Sequence, residues 1–130
     1  MLYVRFAELP VADQDRAVSF YTEKLGFRVA EDVPYRDGWR WIELEIPGAQ
    51  TKILLTRKSD NEGGKAREAG DGAPRLVLNV DDVYALHREL KEKGVDFAAE
   101  PTVGTWGGGE AFAMFWDSED NLVMVGTEKD

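Results

Sequence analysis

The fold is decided by a stretch that begins at Pro10-Val-Ala-Asp13, continues as a helix-like run and ends at Lys24-Leu-Gly26-Phe27. It decides the fold because the chain repeats this pattern. The second copy begins at Asn79-Val-Asp-Asp82 and ends at Glu92-Lys-Gly94-Val95. Each copy has a short apolar stretch, an acidic residue suited to capping a helix, an apolar stripe at helical spacing and a glycine that suits the left-handed position beyond the helix end. Such internal repetition predicts two similar modules.

The residues around each copy alternate in polarity, as strands do. In the first module, strands are predicted at 2–11, 27–33, 39–46 and 52–56, with turns at 34–38 and 47–50. In the second module, strands are predicted at 75–80, 95–99, 110–116 and 122–126, with a loop over 101–109. The polar, glycine-bearing segment 58–74 lacks apolar periodicity and is predicted to be a linker. We therefore expect one α+β domain over 1–130, made of two tandem β-α-β-β-β modules: module one at 1–57 and module two at 75–130.

Composition excludes several classes of function. The chain of 130 residues has 25 acidic against 16 basic residues, a formal net charge of −9, which opposes binding to a nucleic-acid backbone. It has no apolar run long enough to span a membrane, and its first residues do not resemble a signal peptide. The absence of cysteine excludes disulfides, thiolate zinc sites and a cysteine nucleophile. A cytoplasmic location fits these features best.

Four motifs of the chain form a recognisable set: Val11-Ala-Asp13, Phe20-Tyr21, Leu25-Gly26-Phe27 and Phe115-Trp-Asp117-Ser-Glu-Asp-Asn121. This set resembles the motifs of the vicinal oxygen chelate superfamily, which includes glyoxalase I, bleomycin-resistance proteins and extradiol dioxygenases. Ser118 and Asp120 depart from the proline and glycine usual in that last turn. The resemblance implies paired modules that form a curved mixed sheet around a cup, a ligand in the cup, and a homodimer.

Metal-dependent members of this superfamily hold a divalent ion in the cup, and the resemblance places the matching positions at Phe6, Leu54, Arg75 and Met124. None of these side chains is a good ligand for Mg²⁺, Mn²⁺, Zn²⁺ or Fe²⁺. We therefore expect no metal and no cofactor. The single histidine, His87, falls on the second helix, where a surface or half-buried structural role is expected.

Strand alternation predicts which side chains would line the cup. Its aromatic and thioether groups suit a planar or bulky organic ligand, and Glu8, Glu43 and Trp41 would suit a cation. Trp106, in a Trp-Gly loop like that of bleomycin-resistance proteins, is a further stacking candidate, although simple loop packing explains it equally well. The predicted ligand-binding residues are Phe6, Glu8, Trp41, Glu43, Leu54, Arg75, Asn79, Trp106, Phe112, Met114 and Met124.

Three functions remain open at this point. The favoured one is a metal-free protein that sequesters a small aromatic or cationic molecule, as the bleomycin-resistance members do. The alternative is an enzyme of the superfamily, a lyase, isomerase or dioxygenase-like protein, with Glu8 or Glu43 as the general base. The third is a regulatory or structural dimer in which Phe6, Leu54, Met114 and Met124 are only core residues.

Overall fold

The computed structural model describes residues 1–58, 73–104 and 110–127. The chain divides into two compact units, Met1–Gly63 and Gly64–Asp130. Across the described residues each unit contains one helix and one four-stranded sheet. Neither helix has the length and apolar character needed to cross a membrane.

Module one contains five elements. They are β1 (Phe6–Val11), α1 (Gln14–Leu25), β2 (Arg28–Arg36), β3 (Trp39–Glu45) and β4 (Lys52–Arg57). The strands form sheet one in the order β1-β4-β3-β2, with β1 and β4 parallel and the other neighbours antiparallel. β1 and β4 can pair in parallel because a long stretch of chain connects them, whereas short hairpins join the antiparallel neighbours.

Local signals determine where α1 begins and ends. The Asp13 carboxylate accepts a hydrogen bond from the backbone N–H of Arg16 at 3.0 Å, which caps the free N-terminal groups of the helix. Gly26 takes the left-handed conformation at φ 75°, which ends the helix. Ala17 and Tyr21 are fully buried, so this stripe of α1 packs on sheet one.

Module two repeats this order. Its elements are β5 (Leu76–Asn79), α2 (Val83–Glu92), β6 (Asp96–Val103), β7 (Ala111–Trp116) and β8 (Leu122–Gly126). They form sheet two in the order β5-β8-β7-β6, with β5 and β8 parallel. Asp82 is the cap of α2, because its carboxylate accepts from the backbone N–H of Ala85 at 3.1 Å.

The core of each module lies between its helix and one face of its sheet. In sheet one the alternate residues facing the helix are at most 2% exposed: Leu9, Val11, Ile42, Leu44, Ile53 and Leu55. In sheet two the corresponding residues Ala113, Phe115, Val123 and Val125 are at most 1% exposed. The predicted α+β class and the two β-α-β-β-β modules are therefore confirmed.

Two predicted loops are partly strand. β2 continues through Pro34 to Arg36, and the turn is the two-residue step Asp37-Gly38, with φ of 52° and 75°. Positive φ at both positions suits the tight turn of a β-hairpin, and a register shift between Pro34 and Arg36 accommodates the proline. β6 likewise continues through Pro101 to Val103, with a register shift between Ala99 and Thr102. Of the predicted linker 58–74, residues 59–72 lie outside the described part of the chain.

Candidate functional site

The open face of sheet one, defined as the face opposite α1, carries five of the predicted site residues. In the register of the sheet, Leu54 of β4 lies between Glu8 of β1 and Glu43 of β3. Phe6 is two residues before Glu8, and Trp41 is two residues before Glu43, so both share this face. The structure therefore brings these five side chains onto one surface, and their role in binding remains a prediction.

Trp41 is the centre of an aromatic cluster on this face. Its ring meets Phe6 edge-on, with centroids 6.0 Å apart, and meets Tyr35 of β2 at 5.6 Å. Its indole N–H donates to the Glu43 carboxylate at 2.8 Å. The hydrogen bond fixes the ring, and the edge-on contacts leave part of its surface available for stacking.

The two predicted carboxylates of the open face do not lie on neighbouring strands. Glu8 and Glu43 lie on strands separated by β4, so their backbones are about 10 Å apart. Glu43 is also engaged by Trp41. Among the described residues, no group of three or more His, Cys, Asp or Glu side chains is placed to hold a metal ion.

The positions that the family uses for a metal do not fit one in this chain. Phe6 and Leu54 carry no donor atom, and Leu54 is only 8% exposed. Arg75 would place a positive charge beside the ion, and the thioether of Met124 prefers soft metals. No step of a reaction is therefore assigned to a metal at these positions.

The open face of sheet two, opposite α2, carries four of the predicted residues of module two, namely Asn79, Phe112, Met114 and Met124. Met124 of β8 lies between Val77 of β5 and Met114 of β7, and Gly126 lies between Asn79 and Phe112. Arg75 directly precedes β5 and is exposed, and its backbone N–H donates to the Leu122 carbonyl at 2.8 Å.

A pocket of about 330 Å³ lies on sheet two, in which three of the predicted residues come together. They are Asn79, Phe112 and Met124, whereas Arg75 and Met114 do not line it. The sequence analysis missed Glu110 and Thr127 at the strand ends. Extending the alternation from Phe112 back to residue 110 would have found the glutamate.

A second pocket, of about 230 Å³, lies in module one, and we call it the β3–β4 pocket. It includes Trp41 and Leu54 but not Phe6, Glu8 or Glu43. Trp39 alternates with Trp41 and could have been found from the sequence, whereas Tyr35 and Arg57 depend on how the strands are placed. The lining residues are Tyr35, Arg36, Asp37, Trp39, Arg40, Trp41, Leu54, Leu55, Thr56 and Arg57.

The β3–β4 pocket lies where the two strands part. β3 and β4 pair only at Glu43–Leu54 and Leu44–Ile53. Beyond these positions the buried side chain of Gln14, the first residue of α1, bonds to both strands. Its amide oxygen accepts from the Arg40 N–H at 3.1 Å, and its amide nitrogen donates to the carbonyls of Arg40 at 2.7 Å and Leu55 at 3.4 Å. The amide thus satisfies backbone groups that a closed ladder would otherwise pair.

Trp106, the predicted stacking residue, falls outside the described residues. His87 lies on α2 with its side chain 20% exposed, where its ring meets Phe97 edge-on at 4.6 Å and its Nε2 contacts the Glu100 carboxylate. Lys91 is 3.2 Å from the same carboxylate, and its hydrogen bond is the main cause that lowers the pKa of Glu100.

Comparison with known proteins agrees with this fold. The model of the Glyoxalase/Bleomycin resistance protein/Dioxygenase superfamily matches residues 3–125, which confirms the resemblance identified from the sequence. The chain is 41% identical to the uncharacterized protein YurT of Bacillus subtilis (strain 168), over 88% of this chain and 91% of YurT. It is 28% identical to the lactoylglutathione lyase of Haemophilus influenzae (strain ATCC 51907 / DSM 11121 / KW20 / Rd), over 86% of this chain and 82% of that protein.

A solved structure with a similar fold is that of TnmS3, described as an antibiotic binding protein from Streptomyces sp. CB03234. It superposes with a TM-score of 0.79 and 29% identity, over 99% of this chain and 98% of TnmS3. The similarity extends over both modules.

Proposed function

We propose that this chain, which belongs to the Glyoxalase/Bleomycin resistance protein/Dioxygenase superfamily, is a metal-free protein that binds a small aromatic molecule. The observation that carries the proposal is the aromatic cluster of Phe6, Tyr35 and Trp41 on the open face of sheet one. The metal-free part of the proposal is supported by the four positions that match the metal ligands of the family. Their side chains do not suit a divalent ion: Phe6, Leu54, Arg75 and Met124.

Stacking and burial of apolar surface would supply the affinity. An aromatic pair contributes about 0.5–1.5 kcal/mol beyond the burial of its area. The β3–β4 pocket provides Trp39 and Trp41 for such contacts, and the pocket of sheet two provides Phe112 and Met124.

The similarity to TnmS3 supports a role in sequestering a drug. In this proposal the protein acts in the cytoplasm as a homodimer and protects the cell by holding the compound. Sedimentation of the purified protein would measure its oligomeric state, and a monomer at all concentrations would remove the dimer from the proposal.

The test is a titration of the purified protein with a panel of planar aromatic drugs, followed by quenching of tryptophan fluorescence. We expect at least one compound to bind below the millimolar range, and to bind equally well after dialysis against a chelator. Elemental analysis of the same sample provides the control for metal content. A stoichiometric divalent metal that is required for binding would overturn the metal-free assignment, and the absence of binding across the panel would overturn the proposed function.

An enzymatic function is the second candidate, because Glu8 and Glu43 flank Leu54 on the open face and relatives include lactoylglutathione lyases. In that case one glutamate would remove a proton from the substrate. Turnover of the hemithioacetal of glutathione and methylglyoxal that is lost in Glu8→Gln or Glu43→Gln would favour the enzyme. Equal background rates in the wild type and both variants would exclude this reaction.

A further inference from the structure

The β3–β4 pocket has aromatic walls and two arginines that lie over aromatic rings. The guanidinium of Arg57 lies over the ring of Trp39, 5.3 Å from its centroid. Arg36 lies over Tyr35 at 4.8 Å and donates to the Tyr35 hydroxyl at 3.1 Å. Within the described part of the chain, neither arginine forms an ion pair with a carboxylate. Both positive charges are therefore available to a ligand.

The side chains that line the pocket keep a small excess of positive charge. Arg40 is paired with Asp15 at 2.6 Å and with Asp32 at 3.0 Å, so this group carries one net negative charge, but neither aspartate lines the pocket. Asp37, in the turn, is the acidic member of the lining. The lining therefore has one more positive than negative charge after Arg40 is set aside, although the whole chain carries −9. Glu8 and Glu43, which suggested a cationic ligand in the sequence analysis, do not line this pocket.

Arginine that lies over an aromatic ring is well suited to an aromatic anion. The N–H donors at the edge of the planar guanidinium match the two oxygens of a carboxylate, while the flat face of the guanidinium stays on the aromatic side chain of the protein. The ring of the ligand would then extend beside Trp39 and Trp41. At about 230 Å³ the pocket is smaller than a typical drug site, so it fits one planar group and not a whole large ligand.

We propose that the β3–β4 pocket binds a planar aromatic ring that carries a carboxylate, with the ring against Trp39 and Trp41 and the carboxylate on Arg57 and Arg36. This inference rests on the proposed function, because it names the chemical class of ligand for the aromatic surface of module one. Gln14 acts as a positioning residue, since its amide takes up the backbone groups of the parted strands.

The test compares three probes of the same shape: naphthoate, neutral naphthamide and the naphthylmethylammonium cation. Their affinities for the intact protein are measured by calorimetry at neutral pH. Because a hydrogen bond to a charged group is worth more than a neutral one, we expect naphthoate to bind about tenfold more tightly than naphthamide. The ammonium compound should bind most weakly.

Two pairs of variants locate the interaction. Arg57→Gln should bring the affinity for naphthoate down to that for naphthamide, and the matched control Arg28→Gln, on the exposed strand β2 and paired with Glu45, should leave both unchanged. Trp39→Leu should weaken all three probes, whereas Tyr84→Leu, an exposed aromatic on α2, should weaken none. Circular dichroism confirms that each variant is folded.

The outcomes separate the inference from the proposed function. If the three probes bind equally and Arg57→Gln changes nothing, the preference for an anion is wrong, although aromatic binding stands. If the probes bind but Trp39→Leu has no effect, the assignment to this pocket is wrong. If neither these probes nor the drug panel bind, the proposed function fails and the inference with it.

Discussion

Module one and module two have the same order of elements, but their middle strands differ in how far they pair. β7 and β8 pair at five positions, whereas β3 and β4 pair at two and then part. The first residue of the helix differs as well. In α2 this residue is Val83, which is part of the apolar core, whereas in α1 it is Gln14, whose buried amide bonds to two strands. The two modules thus keep one order of elements, and the module with the shorter pairing of its middle strands is the one with a buried amide at the start of its helix.

The largest effect on stability is expected when the first residue of α2 is replaced by the glutamine that begins α1. In Val83→Gln the protein loses the burial of a valine and gains a buried amide beside a ladder that is already paired. We expect the free energy of unfolding to fall by about 4 kcal/mol, measured by urea denaturation. Tyr84→Gln, at the next and exposed position, is the control and should change stability by less than about 0.5 kcal/mol. A Val83→Gln protein as stable as the wild type would break the comparison between the modules.

The reverse exchange is expected to have a smaller effect. In Gln14→Val the backbone groups of Arg40 and Leu55 lose their partner, but the valine recovers some apolar burial. The expected loss is about 2 kcal/mol in urea denaturation, with weaker binding of naphthoate. Ser19→Val, on the exposed side of α1, is the control and should change stability by less than about 0.5 kcal/mol, because serine and valine have similar helix propensities. Unchanged stability and unchanged binding in Gln14→Val would show that the amide does not hold the strands apart.

The smallest effect concerns one exposed carboxylate in each module. The hydrogen bond from Arg40 lowers the pKa of Asp15, and that from Lys91 lowers the pKa of Glu100. A lowered pKa in the folded state adds stability above the pKa of the unfolded state, and this stability is lost as the pH falls through the folded value. The wild type should therefore be slightly more stable than Asp15→Asn or Glu100→Gln at pH 7.

The same difference should shrink as the pH falls below about 4, the ordinary pKa of aspartate, and should vanish once the pH is below the lowered pKa of the folded state, because both forms then carry a neutral side chain. Thermal melts at neutral and acidic pH measure it, and solvent screening keeps it small. A difference that grows on acidification would contradict the assigned sign. If Asp15→Asn and Glu100→Gln lower the stability at pH 7 by the same amount, the Arg40–Asp15 and Lys91–Glu100 contacts do not distinguish the two modules.

Much of the fold could be predicted from short-range signals. The capping aspartates Asp13 and Asp82 and the glycine Gly26 act within a few residues of the helix ends, so the sequence shows them directly. The strand ends were less accurate. Pro34 suggested a turn, but strand pairing across a register shift carried β2 on to Arg36. Pairing between strands can override the local preference of a residue.

Part of the candidate site could also be predicted. Alternation placed Trp41 with Glu43 on one face of its strand, because side chains on a strand point to opposite sides in turn, and the family resemblance placed Leu54 in the cup. The β3–β4 pocket could not be predicted in this way, since it depends on where pairing between β3 and β4 stops. The available signal was Gln14, a polar residue in a position that is apolar in the second copy. Its meaning became clear only when its amide was found between Arg40 and Leu55.

The sequence by itself determined the two modules, the capped helices, and the unsuitability of Phe6, Leu54, Arg75 and Met124 as ligands for a hard cation. These properties follow from local patterns and from the chemistry of single side chains. The tertiary structure alone decided that Trp41 bonds to Glu43, that β3 and β4 part, and that Arg57 lies over Trp39. The physical reason is that such contacts depend on strand register and helix placement, which bring together residues that are distant along the chain.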